Sequence, residues 1–188
     1  YGDYAFVQHM VASMAQGGNS RMAVVLPQGA LFRKGAEGKI REALLKEDLI
    51  EAVIGLAPNL FYGTGLAGCV VVLRRNKPAE RKNKVLIIDA QSLHRKWKAQ
   101  NLLEPEHGEQ IIKWFQAFED IEDRARVVTL SEIEEEGWTL NIARYVLPAI
   151  EDVLPLPEAV AAFKEALSEA RTAEEHLRTV LTEGGWLK

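Results

Sequence analysis

One cysteine, Cys69, in 188 residues rules out an internal disulfide. No apolar run approaches the roughly 20 residues that cross a bilayer, so a helical membrane protein is excluded. No segment resembles a secretory signal, and a reducing cytoplasm is the expected compartment. Catalytic signatures are equally scarce. The four histidines, His9, His94, His107 and His176, share no metal-ligand spacing with one another or with Cys69, so no metal site is expected. No serine sits in a nucleophile elbow, and no glycine-rich loop precedes a helix as a phosphate cradle requires. An initiating methionine is also missing. The chain opens at Tyr1 inside an apolar-periodic segment, which leads us to expect a part of a longer protein.

What is present is ordinary globular material: 47% hydrophobic and 27% charged residues. The length predicts one compact domain with an appendage. The net charge of −4 conceals blocks. Residues 74–98 hold nine basic side chains against Glu80 and Asp89, whereas residues 104–136 hold eleven acids and three bases. Such a basic block suits a phosphate-facing surface, because lysine and arginine displace counterions from nucleic acid. It equally suits a solvated loop whose lysines protect a strand edge from aggregation.

The hydropathy pattern is that of an α/β protein. Residues 3–15 predict a helix with Asp3 as N-cap and Phe6, Met10 and Met14 along its apolar face, flanked by Val7 and Val11. Residues 22–26 are a short apolar run that fits a strand covered on both faces, residues 50–56 predict a second strand, and residues 39–48 predict the helix between them. Residues 68–73 form another apolar run. The link before it is too short for a crossover, so this strand should run antiparallel to its neighbour. The expected sheet therefore has two parallel strands plus a reversed one, with residues 85–88 as a further strand. Beyond it, residues 106–118 predict a helix, residues 127–130 a short extended piece, and Ser131 with Glu134 a capping box for a short helix ended by Gly137. Pro148, Pro155 and Pro157 mark a linker. Val160, Phe163, Leu167, Ala170, Glu174, Leu177 and Leu181 then alternate in steps of three and four, a heptad seam broken once by Glu174. The seam suits either packing on the chain's own domain or a partner helix.

The most informative stretch is residues 59–73. A loop carrying Leu60, Phe61 and Tyr62 passes through Gly63, Thr64 and Gly65 into the reversed strand. It lies at the carboxyl end of the 50–56 strand, where open α/β sheets place ligand contacts. An aromatic plate there can stack on a planar ligand such as a base, or Phe61 can fill the domain's own core.

The blocks YGDYAFVQHM, RMAVVLPQGALFR, AEGKIREALL, IEAVIGLAPNLFYGTGLAGCVVVLRRNKP and VLIIDA resemble, in order, the methylation subunit of type I restriction–modification systems. LNIARYV is similar too, with Ala143 where that family usually has proline. The resemblance covers residues 1 to about 147. It implies an S-adenosylmethionine-dependent DNA adenine-N6 methyltransferase, a Rossmann-like sheet of which this chain supplies the distal half, and a helical carboxyl-terminal region. The implied division is 1–90 for the end of the catalytic domain, 91–150 for an α-rich accessory region, and 151–188 for a linker and a subunit-contact helix.

The resemblance also implies roles for residues. Phe61 matches the aromatic that stacks on the flipped-out base, with Tyr62, Gly63 and Thr64 as its neighbouring loop. Phe6 would line the adenine edge of the cofactor. Arg74, Arg75 and Lys77 become candidate contacts to DNA or to a subunit. The family's Asn-Pro-Pro-aromatic motif and its glycine-rich cofactor loop are absent from the sequence. No catalytic residue is therefore assigned, and the chain reads as a carboxyl-terminal fragment that neither methylates DNA nor binds S-adenosylmethionine tightly. Expected partners are the specificity and restriction subunits and double-stranded DNA, with self-association through an exposed strand edge. The competing readings are a non-catalytic assembly module and an unrelated nucleotide-binding α/β enzyme.

Overall fold

The structure, a computed structural model, describes residues 2–147 and 155–186. Residues 1–149 form one compact unit and residues 150–188 a second. In the first unit, α1 (Asp3–Ser13) leads to β1 (Arg21–Pro27), α2 (Ala36–Lys46), β2 (Ile50–Gly55), β3 (Gly68–Arg74) and β4 (Lys84–Asp89). A hairpin of β5 (Arg95–Trp97) and β6 (Gln100–Leu102) follows, then α3 (Pro105–Ala117), β7 (Ala125–Thr129) and α4 (Leu130–Glu135).

Five strands form one sheet in the order β1-β3-β2-β4-β7. The reversed strand β3 sits between β1 and β2, antiparallel to both, pairing Leu26 with Cys69 on one side and Ile54 with Val70 on the other. β1 and β2 thus share a direction without touching, as expected for two like-directed strands and a reversed one. β4 adds in parallel to β2, and β7 closes the sheet antiparallel to β4. Because β7 comes from beyond residue 90, the sheet runs through the expected 90/91 division, and residues 91–147 hold strands as well as helices.

Side chains alternate across this sheet with the period of two that strands impose. Val53, Val71, Leu73, Val85 and Ile87 face one layer, covered by α1, α2 and the segment from Ile133 to Val146. Ala52, Ile54, Val72, Leu86 and Ile88 face the other, covered by Ile111, Trp114 and Phe115 of α3. β2 is buried at every position, whereas β1, at the sheet's end, alternates between exposed and half-buried residues until Leu26. Cys69 lies inside this core, and burial pushes its thiol up to about 12.

Three local expectations are corrected. α1 buries Tyr4 and Val7 rather than Phe6, which is exposed, because the Tyr4 hydroxyl reaches in to donate to the Ala30 carbonyl at 3.0 Å. Its N-cap is Gly2, and Asp3 instead pairs with Arg33 in the first turn. The capping box of α4 is Thr129 with Glu132, two residues earlier than Ser131 with Glu134. There the Glu132 carboxylate accepts from the Thr129 backbone and hydroxyl, which holds its pKa below the usual range.

One charge is buried in the sheet itself. Glu51 of β2 is fully inaccessible, and a bulge between Ile50 and Ala52 interrupts the ladder where it sits. Arg21 of β1, Arg74 of β3 and Arg81 approach its two oxygens at 3.0, 3.1 and 3.1 Å. Removing one member of such a cluster strands uncompensated charge, whose cost exceeds that of losing the contact. Glu51→Ala should therefore lower the unfolding free energy by about 3 kcal/mol or more, read from the urea denaturation midpoint.

The second unit is described by its helix α5 (Leu156–Glu183), whose N-cap is Pro155. Pro148 lies outside the described residues. No residue of α5 is buried, and Val160, Phe163, Leu167 and Leu177 leave an apolar stripe exposed along the predicted seam.

Candidate nucleic-acid interface

The carboxyl end of β2 opens into the loop of residues 56–67. Asn59 takes a left-handed turn at φ 56 and Gly63 another at φ 74, so the chain doubles back within a few residues. Phe61 is held over the first residue of β3: a Cβ on Gly68 would lie 2.9 Å from the Phe61 ring. Its ring packs on backbone yet stays 42% exposed, so it neither fills the core nor projects freely. Tyr62 beside it is 92% exposed. Thr64 steadies the turn, its Oγ1 accepting from the Leu66 amide at 3.1 Å.

Phe61 separates two hollows. An apolar one of about 220 Å³ lies toward the end of β1, against Val25, Pro27, Leu66 and Gly68. A wider cleft of about 480 Å³ lies between the 59–64 loop and the tip of the β5–β6 hairpin, lined there by Trp97, Lys98 and Gln100. The hairpin is bonded directly to the loop. The Asn101 amide donates to the Asn59 carbonyl at 2.9 Å, its side chain to the Pro58 carbonyl at 2.8 Å, and Gln100 Nε2 to the Leu60 carbonyl at 3.1 Å. Asn101 is buried, so both of its bonds leave from a side that water does not reach. Phe61, Tyr62, Gly63 and Thr64 all line the wider cleft. Trp97, Gln100 and Asn101 escaped the sequence reading. Their signal was a tryptophan flanked by Arg95, Lys96 and Lys98, an aromatic set among cations.

The remaining cations are placed differently. Arg74 is spent on Glu51, Arg75 donates to the Val11 carbonyl at 3.0 Å, and Lys77 is buried against Asp48 at 2.6 Å and the Lys84 carbonyl at 2.9 Å. Burial pulls the Lys77 ammonium below its ordinary pKa, with Asp48 opposing that shift. These three side chains, the candidate contacts to DNA or to a subunit, each have a partner within the fold. Sequence spacing could not separate them from Lys96 and Lys98, because only the strand register decides which cation meets a carboxylate.

The family model for N-6 DNA methylase matches residues 1–152. The chain belongs to that family. Among its relatives is the type I restriction enzyme MjaVII methylase subunit of Methanocaldococcus jannaschii, 39% identical over 167 residues, covering 87% of this chain and 28% of that protein. The MpnII methylase subunit of Mycoplasma pneumoniae is 32% identical over 144 residues, covering 77% and 26%. The crystal structure of the type I restriction–modification methyltransferase subunit from Streptococcus thermophilus superposes with a TM-score of 0.73 at 40% identity, covering 78% of this chain and 30% of that one. The chain therefore spans less than a third of each of these three proteins.

Phe6, the residue expected at a cofactor edge, lies apart from the Phe61 loop. Phe6 is 72% exposed and borders neither hollow beside Phe61. The sequence also lacks a glycine-rich turn between a strand and a helix. No step is therefore derived through S-adenosylmethionine from this part of the protein.

The seating of Phe61 on Gly68 is open to test. Gly68→Ala should push the ring off its seat and lower stability by about 1–3 kcal/mol. In the double variant with Phe61→Ala most of that loss should disappear, as a double-mutant cycle by chemical denaturation would show.

Proposed function

We propose that this chain is the carboxyl-terminal part of a type I restriction–modification methylase subunit, and that the whole subunit transfers a methyl group from S-adenosylmethionine to adenine N6 in DNA. The observation that carries this reading is the family match over residues 1–152 coinciding with a half-exposed aromatic at the carboxyl ends of β1 and β2. An enzyme that modifies a base must extrude it from the duplex, and stacking offsets part of the unpairing cost. Phe61 is the plate for that stacking, held in place by Gly68 beneath it. Tyr62, Gly63 and Thr64 shape the loop around the base, and the apolar hollow beside Pro27 accepts its edge. The chain's own residues bind and orient; they contain no acceptor set for the amine, and methyl transfer is assigned to the rest of the subunit. The same logic leaves the isolated chain without methylation activity and without tight binding of S-adenosylmethionine. Phe6 is retained as a cofactor-edge residue only within the whole subunit.

The partners follow from the unpaired surfaces. The exposed apolar stripe of α5 suits a helix of the specificity subunit. The restriction subunit and double-stranded DNA complete the complex, in the cytoplasm. β1 has a single neighbour in the sheet, so its free edge supports self-association when the chain is alone.

In the full subunit assembled with its specificity subunit, Phe61→Ala should lower kcat/KM for DNA methylation at least tenfold, while Phe61→Trp keeps most of it. Full activity of Phe61→Ala would sink the stacking role. Deleting residues 158–188 should abolish co-purification with the specificity subunit, and undiminished binding would refute docking through α5.

A further inference from the structure

We propose that the β5–β6 hairpin is the second wall of a nucleic-acid cleft, in which Trp97 stacks on a nucleobase next to the target nucleotide while Lys96 and Lys98 meet the backbone phosphates beside it. The proposal rests on the reading of Phe61 as the base plate and extends it to the unpaired DNA around that base.

Four observations converge. The hairpin is tied by the Asn101 and Gln100 hydrogen bonds to the same loop that carries Phe61, so the two aromatics are held at a set separation across one cleft. Trp97 is 52% exposed, an apolar surface without a cover in its own fold. Cations flank it, with Arg95 at 5.2 Å and Lys98 at 5.7 Å from the ring centroid. The ring offers a stacking face, and the cations beside it attract the phosphate of a stacked nucleotide. Finally, the cations divide cleanly. Arg95 is committed to Glu104 at 2.6 Å, whereas Lys96 and Lys98 are exposed and have no carboxylate partner among the described residues.

The turn points the same way. Lys98 holds the left-handed conformation at φ 50, where glycine or asparagine is unstrained. Lys98 stands at the tip of the hairpin, which carries its side chain out to solvent beside Trp97. Unpaired cations and an open aromatic favour a polyanion with exposed bases over a protein partner, whose recognition would call for a covered apolar centre.

The test uses the 188-residue chain and a fluorescein-labelled single-stranded DNA of about a dozen mixed nucleotides, followed by anisotropy over a range of salt. Trp97→Ala should weaken binding about tenfold and Trp97→Phe much less, as loss and partial retention of one stacked base predict. The Lys96→Ala/Lys98→Ala variant should reduce the slope of log affinity against log salt by about 1.4, the value for two phosphate contacts on a single strand. Circular dichroism spectra of the variants should match the parent's. No binding by the parent chain overturns the proposal, as does unchanged affinity in the Trp97→Ala variant. Variants that weaken assembly with the specificity subunit but not DNA binding also overturn it, and assign the hairpin to a protein interface. Phe61→Ala in the methylation assay separates the two ideas. If it abolishes methylation while Trp97→Ala leaves DNA binding intact, the hairpin proposal alone fails. If it is harmless while Trp97→Ala weakens DNA binding, the stacking role of Phe61 fails and the hairpin stands.

Discussion

The carboxylate of Glu51 is the interaction on which the arrangement of this chain depends. It is buried in the central strand, and its three arginine partners come from β1, from β3 and from the turn after β3. Two of those arginines also lie over aromatic rings of α3 and its C-cap, Arg21 at 5.5 Å from Phe115 and Arg81 at 4.4 Å from Phe118. One charge therefore holds three adjacent strands in register and draws the covering helix onto their far face. Desolvating a carboxylate is costly, and only several well-placed guanidinium groups offset it. The basic segment supplies two of the three.

That commitment divides the molecule into two ends. At the Glu51 end, positive charge is consumed by the fold: Arg74 and Arg81 at Glu51, Lys77 at Asp48, Arg75 on a helix carbonyl. At the other end of β2 the chain leaves the sheet, doubles back through Asn59 and Gly63, and presents Phe61 and Tyr62 beside a hairpin with uncommitted lysines. The insertion of β3 between β1 and β2 makes this possible. It brings Gly68 under Phe61 and closes the hollow against Pro27, so the ring is seated on backbone while its free face stays open.

Much of this was legible beforehand, for reasons that differ from element to element. β3 and the 85–88 stretch of β4 are apolar runs, as strands buried on both faces generally are, and β2 is one apart from Glu51. The reversed direction of β3 followed from the shortness of the link before it. The Phe61 loop was visible as aromatics between a strand end and a glycine turn, and the resemblance supplied its role. Other features were not legible. The apolar face of α1 was assigned to Phe6 because spacing counts hydrophobic residues alike, whereas the Tyr4 hydroxyl has a specific carbonyl to reach. The capping box of α4 slid by two residues because Thr129-Glu132 and Ser131-Glu134 offer the same side-chain chemistry.

The class of sheet, the family and the place of the aromatic loop are written in contiguous residues: apolar runs, ordered motif blocks, one stretch after a strand. Which of nine neighbouring cations are structural and which face outward was decided only by tertiary structure. That depends on the register that sets Arg74 and Arg81 against a carboxylate some 20 to 30 positions away along the chain, and on hydrogen bonds that fasten Asn101 to Asn59. Charge is a property of composition, but its availability is a property of what lies within a few ångströms.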